Sequence, residues 1–152
     1  MDPNLLEKVA LFEGLNHAQL RKVAALASTQ RFSVGSFVFH EGDTADSMFI
    51  LVEGKVRISR QVPGMGEEAL AILEKGSYFG EMALIEDSPR SADAIAHSSC
   101  ELAVVNRDKL DQLLFTDKDL AYVLLWTLVR TLSGRLREAN EKIKAFFAMS
   151  KF

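Results

Sequence analysis

The middle of this chain is cut too often by glycine to form one run of regular structure. From Arg31 it falls into short β-prone pieces, RFSV, SFVFHE, SMFILVEG, KVRISRQV, EALAILE, SYFG and ADAIAHSSCELAVVNR, punctuated by Gly35, Gly42, Gly54, Gly64, Gly66, Gly76 and Gly80. Glycine reaches the positive φ of tight turns without steric cost. Short strands with glycine turns at roughly 8 to 12 residue spacing predict a sandwich or barrel, read here as a β-roll. Phe49 to Ser59, FILVEGKVRIS, is expected to form a hairpin turning at Glu53 and Gly54, and PGMG, residues 63 to 66, a mobile loop.

Both ends read as helix. Asp2 before Pro3 is an N-cap with proline at the first helical position, opening a short helix through Leu5, Leu6 and Val9. Asn16, with Gln19 three residues on, resembles a capping box and opens a second helix with Leu20, Val23, Ala24 and Ala27 on one face. Near the C-terminus Asn106 is expected to cap a short helix carrying Leu110, Leu113 and Leu114, and Thr116 a long one from about Asp117 to Ala148. At 1.5 Å per residue the long helix measures roughly 45 Å, so it must outrun its own domain. Its first half, Trp126 included, is expected to pack back onto the roll. Leu132, Leu136, Ala139, Ile143 and Phe146 then recur at steps of four and three, with Leu125 and Leu128 upstream, a seam that calls for a second copy of the helix. The predicted fold is α+β: an antiparallel, jelly-roll-like β-roll over residues 31–106, N-terminal helices over 1–30 and C-terminal helices over 107–152, in a single domain.

Composition narrows the function classes. With 48% hydrophobic and 26% charged residues, the 152-residue chain has the balance of a soluble globular protein with one core. No run approaches the length of a membrane span, and the N-terminus has no secretory pattern, so a cytoplasmic location is expected. A net charge of -3 argues against a surface built to hold a phosphate backbone. Cys100 stands alone in an apolar segment and is expected to be a small buried hydrophobe, and His17, His40 and His97 are scattered singly. No metal site, no cofactor and no catalytic residue is expected, because neither a ligand cluster nor a nucleophile and base pair stands out.

Gly80 to Ala96, GEMALIEDSPRSADAIA, places Glu81 behind a glycine and Arg90 behind a proline in an otherwise small, apolar run. Gly80 lets the chain turn tightly and approach a ligand, and the following Met82 and Ala83 favour a helical turn whose first N–H groups have no internal acceptors. Arg90 offers a planar fork of donors suited to phosphate, while Ser91 and Ala92 leave room and add a hydroxyl and an N–H. A carboxylate in such an anion cradle makes sense where the ligand carries a hydroxyl beside its phosphate, as a ribose does. The plainer alternative is an ion pair between Glu81 and Arg90 on a turn.

FGEMALIEDSPRSA, residues 79 to 92, resembles the phosphate-binding cassette of the cyclic nucleotide-binding domain family. VGSFVFHEGDTADSMFILVEGKVRIS, residues 34 to 59, is similar to that family's first strands and glycine turns, and the resemblance runs from about residue 10 to about residue 145. It implies that Glu81 binds the ribose 2′-hydroxyl, that Arg90 pairs with the cyclic phosphate, and that backbone N–H groups around Gly80, Met82, Ala83 and Ala92 complete the shell. Many cyclic GMP binders carry threonine at the position of Ser91, so serine leans towards cyclic AMP, with cyclic GMP as the alternative. Among bacterial members the chain is most similar to the cyclic AMP receptor protein group, whose long helix dimerises and reaches the adenine. There Ala139 and Asn140 stand where the group has hydroxyl side chains; Asn140 can bond an adenine edge and Ala139 cannot.

That group continues into a helix-turn-helix domain, whereas this sequence stops at Phe152, so no direct DNA binding is expected and the Met1 start favours a free-standing sensor module. Arg130, Arg135, Arg137, Lys142 and Lys144 are read as a solvated helix face interleaved with Glu138 and Glu141. The expected function is a regulatory cyclic nucleotide-binding module, active as a homodimer, that passes occupancy to its C-terminal helices. The alternative is an interaction module for an unidentified protein partner, with a degenerate or differently occupied pocket.

Overall fold

The computed structural model of the chain describes residues 1–151; Phe152, the end of the expected C-terminal helices, lies outside the described residues. Helices α1 (Pro3–Leu6) and α2 (His17–Leu26) flank a 3-10 turn at Ala10–Phe12. Eight strands follow: β1 (Ser28–Phe32), β2 (Phe37–Phe39), β3 (Ser47–Glu53), β4 (Val56–Val62), β5 (Gly66–Leu73), β6 (Tyr78–Phe79), β7 (Asp93–Ala96) and β8 (Cys100–Asn106). A second 3-10 turn, Glu81–Leu84, interrupts them, and α3 (Arg107–Thr116) and α4 (Lys118–Ser150) close the chain. All strand pairs are antiparallel, in two four-stranded sheets ordered β1-β8-β3-β6 and β2-β7-β4-β5. No helix among the described residues is long and apolar enough to cross a membrane.

The run SMFIL is apolar at nearly every position because β3 is buried on both faces. Met48 and Ile50 join Ala103 and Val105 of β8 in a core shared with Leu6, Val9, Leu20, Val23, Leu110, Leu120, Leu124 and Leu128 of the helical layer. Phe49 and Leu51 face the other way, between the sheets, with Val56, Phe79, Ala94, Ala96 and Leu102. Cys100 lies in that second core, and burial pushes its thiol pKa up.

The N-terminal caps form as read: Asp2 accepts from the Asn4 N–H, and Asn16 and Gln19 close the capping box with two 2.9 Å bonds. Asn106 caps α3 through the Lys109 N–H. The cap of α4 is Asp117, not Thr116: its carboxylate accepts from the Leu120 N–H and pairs with Lys22 at 2.7 Å, while the Thr116 hydroxyl bonds back to carbonyls of α3. The first strand starts at Ser28, inside the segment expected to be helical, because STQRF is exposed and polar and only its ladder with β8 reveals it.

The expected hairpin at Glu53 and Gly54 does not form. β3 and β4 belong to different sheets, so the chain crosses from one to the other at that turn. Gly54 has φ 86°, and a Cβ there would lie 2.3 Å from the Ser99 carbonyl oxygen, so both conformation and space require glycine. The hairpin lies one step later, between β4 and β5, where PGMG makes a turn closed by the Met65 N–H on the Val62 carbonyl. Trp126 is also not packed on the roll: it is 46% exposed, edge-to-face with Tyr122, because the inward line of α4 runs through Leu120, Leu124 and Leu128.

Gly54→Ala is expected to lower stability by roughly 2 to 4 kcal/mol, combining left-handed strain with overpacking. Gly42, also at positive φ but with nothing within 4 Å of a built Cβ, provides the comparison. Gly42→Ala is expected to lose only about 1 kcal/mol, and urea denaturation of the two variants measures the difference.

Candidate functional site

The turn after β6 sets the site. Gly80 adopts φ 74°, ψ 15°, and a Cβ there would stand 2.7 Å from Arg90 Nη1, so the glycine admits both the turn and the arginine behind it. Its carbonyl accepts from the Ala83 N–H at 3.2 Å, closing the 3-10 turn that carries Glu81 and Met82.

Arg90 is built into the roll. Its N–H donates to the Asp43 carbonyl at 2.9 Å and its carbonyl accepts from the Gly42 N–H at 2.8 Å. Nη2 donates to the Ser47 carbonyl at 2.7 Å, Nη1 to the Gly80 carbonyl at 3.3 Å, and the guanidinium lies 4.3 Å over the Phe39 ring. The residue is 7% exposed, and its buried Nε has no partner among the described residues. Burial pulls its pKa down and the charges of Asp46 and Asp43 partly oppose this; an arginine stays protonated in either case. No carboxylate comes within ion-pair distance of it among the described residues. A cation buried with carbonyl ligands, a free donor and no ion-paired carboxylate has the chemistry to hold an anion.

Glu81 is 5% exposed and does not pair with Arg90. Its carboxylate accepts instead from Arg135 Nη1, projected from α4. Burial alone would lower the Arg135 pKa; the hydrogen bond and charge of Glu81, with smaller help from Tyr78 and Glu138, outweigh it and raise the group. Arg135 therefore leaves the solvated face to which the charge pattern assigns it. Nothing in the helix periodicity separates it from Arg130 or Arg137, and only the position of α4 over the turn marks it out.

Gly80, Glu81, Met82, Ala83, Arg90, Ser91 and Ala92 line one cavity of about 330 Å³, together with Phe39, Ile58, Tyr78 and Arg135. That volume lies within the range of small-ligand sites. Asn140 is not brought there: it is exposed on α4, about 7.5 Å further along the axis than Arg135. Two more arginines hold the cassette from outside. Arg60 Nε of β4 donates to the Ser91 carbonyl at 3.1 Å, and Arg107 of α3 donates to the Ala83 carbonyl at 3.2 Å while pairing with Asp87 at 2.6 Å.

Because the contact of Arg135 with Glu81 is where α4 meets the cassette, Glu81→Gln is expected to raise amide exchange over the α4 segment after Leu132 about tenfold. The segment through Leu128, fixed in the helical core, is expected to stay unchanged. Exchange measured by mass spectrometry on peptides from the two segments distinguishes a local clasp from a general loss of stability.

Residues 29–117 match the model of the cyclic nucleotide-binding domain. The chain is 33% identical over 114 residues to a cAMP-dependent protein kinase regulatory subunit of Hypocrea atroviridis, covering 75% of this chain and 24% of that one. It is 28% identical over 172 aligned residues to the human cGMP-dependent protein kinase 2, covering 98% of this chain and 23% of the kinase. It thus spans about a quarter of the length of these relatives. The crystal structure of the N-terminal domain of a transcriptional regulator from Streptomyces coelicolor A3(2) superposes with a TM-score of 0.80 at 29% identity, over 91% of this chain and 94% of that one. With a buried arginine and a buried glutamate on one glycine-turned cassette inside the matched span, the chain belongs to the cyclic nucleotide-binding domain family.

Proposed function

We propose that this chain binds a cyclic nucleoside monophosphate, cyclic AMP in preference to cyclic GMP, and passes occupancy to its C-terminal helices without turning the ligand over. The observation that carries the reading is the buried Arg90 guanidinium, unpaired by any carboxylate among the described residues, beside buried Glu81 in one cavity. The cyclic phosphate neutralises Arg90, and the sugar hydroxyl donates to Glu81. Serine at position 91, where many cyclic GMP binders carry threonine, supports the adenine preference.

Two contacts support transmission. A hydroxyl that donates to Glu81 competes with Arg135 for the carboxylate and so alters the hold on α4. Closure of the cassette over phosphate moves the Ala83 carbonyl and Asp87, both tied to Arg107 at the start of α3. The ligand shifts the helices only by its difference in affinity for their two arrangements.

Beyond the core, α4 carries exposed Leu125, Leu136, Ile143 and Phe146, the spacing of a two-helix seam, which supports a homodimer through this helix. In that dimer Asn140 is the residue proposed to reach the adenine edge. A cytoplasmic location follows from the same reading, as the compartment in which such a messenger is sensed.

Calorimetric titration of ligand-stripped protein with cyclic AMP and cyclic GMP tests the reading. Micromolar or tighter binding is expected, with Arg90→Ala losing about 2 to 4 kcal/mol while remaining folded. No binding of either nucleotide by the folded chain overturns it. Glu81→Ala is expected to weaken cyclic AMP more than its 2′-deoxy analogue, and equal losses would remove the sugar contact. Leu136→Glu combined with Ile143→Glu is expected to convert dimers to monomers in sedimentation equilibrium, and a dimer that survives moves the interface elsewhere.

A further inference from the structure

A second cavity among the described residues is larger than the cassette's. It measures about 670 Å³ and lies between α1, the C-terminal half of β3 and the turn from Leu73 to Tyr78. Helix α1 is only four residues long, and the chain just beyond it, Lys8 and Ala10, lines the space opposite Ile50, Leu51 and Val52 of β3. Its wall is apolar, formed by Leu5, Ile50, Val52 and Leu73, with Met1 at the edge. Every charged side chain that lines it is basic: Lys8, Lys75 and Arg135. Lys8 has no ion-pair or hydrogen-bonding side-chain partner among the described residues, and Lys75 holds exposed Glu53 at 3.3 Å, a contact worth little in water.

An apolar chamber ringed by three cations and lined by no carboxylate selects one chemistry. We propose that this cavity is a second ligand site, distinct from the cassette, for an amphipathic carboxylate: an alkyl or aryl body in the chamber and a carboxylate at Lys8, Lys75 and Arg135. The volume suits a medium-chain acid or an aryl acid of similar size. Alkyl burial contributes about 0.8 kcal/mol per methylene, and the basic rim discriminates the acid from the corresponding alcohol.

The site touches the cassette at one wall. Leu73, Tyr78 and Arg135 line both cavities. Arg135 gives only Nη1 to Glu81, so its remaining donors are available to a carboxylate on the other side. A bound acid therefore shares the arginine that joins α4 to the cassette. The binding claim itself does not depend on any nucleotide.

The test is titration calorimetry of the full chain with decanoate, kept below its micelle concentration, and with decanol. One-to-one decanoate binding is expected, weakened about tenfold by Lys8→Glu combined with Lys75→Glu while decanol is unaffected. Val52→Trp, which fills the chamber from β3, is expected to abolish binding of both, with circular dichroism confirming the fold. Arg90→Ala is expected to bind decanoate as the wild type does; loss of binding there would place the acid in the cassette cavity and overturn the proposal. Absence of decanoate binding by the folded wild type, or binding indifferent to the lysine and Val52 variants, overturns it equally.

Discussion

A buried guanidinium organises this molecule. Arg90 enters the space between the sheets with its backbone bonded to Gly42 and Asp43 and its side chain to the Ser47 and Gly80 carbonyls. It thereby joins the loop before β3, the turn after β6 and the start of β7. Each of these contacts is made by a carbonyl or an N–H, so the positive charge is held in place but not neutralised. Phe39 and Phe49 under the guanidinium add a polarisable floor without adding a counter-charge. The roll thus closes around a buried charge that no carboxylate pairs among the described residues, and Gly80 must be glycine because a Cβ there would stand 2.7 Å from Arg90 Nη1.

The second organising contact is longer in reach. Glu81 turns away from Arg90 and meets Arg135 on α4, so the two charges of the cassette part: Arg90 is held by backbone carbonyls and Glu81 by the helix. Arg107 repeats the logic at α3, bonding the Ala83 carbonyl and pairing with Asp87. The Asp87 side chain is largely exposed, so that pair contributes little stability and serves as a tether rather than a strut. Arg135 also stands in the wall between the two cavities, so the same side chain is reachable from either.

Much of the architecture was legible because it rests on local chemistry. Asp2, Asn16 and Asn106 cap helices through bonds to residues two or three positions away, and such bonds are written in adjacent letters. The glycine turns located most strands. Elsewhere long-range packing overrides the local pattern. FILVEGKVRIS looks like a hairpin, but β3 has apolar residues on both faces and must lie between two partners, the helical layer and the second sheet. STQRF was hidden because an exposed strand bears no alternation and is defined only by its ladder with β8. The exposure of Trp126 is not legible locally, because a large apolar side chain does not say which side of a helix the core chooses.

The amino-acid sequence alone marked out the cassette: its glycine, acid, arginine and small residues lie within fourteen positions, the glycine permits the turn, and the resemblance of residues 79–92 to a family's cassette implies their roles. It also determined that a long helix would project with an apolar stripe, since a repeat along one helix needs no other element. Only the tertiary structure decided which charges meet. Arg135 is 54 positions from Glu81, and it arrives there because Leu120, Leu124 and Leu128 seat α4 beside α3 and the Ala10–Phe12 turn, in the core shared with β3 and β8. Such a pairing depends on the direction of a helix axis, which a sum of many apolar contacts sets and no single residue encodes.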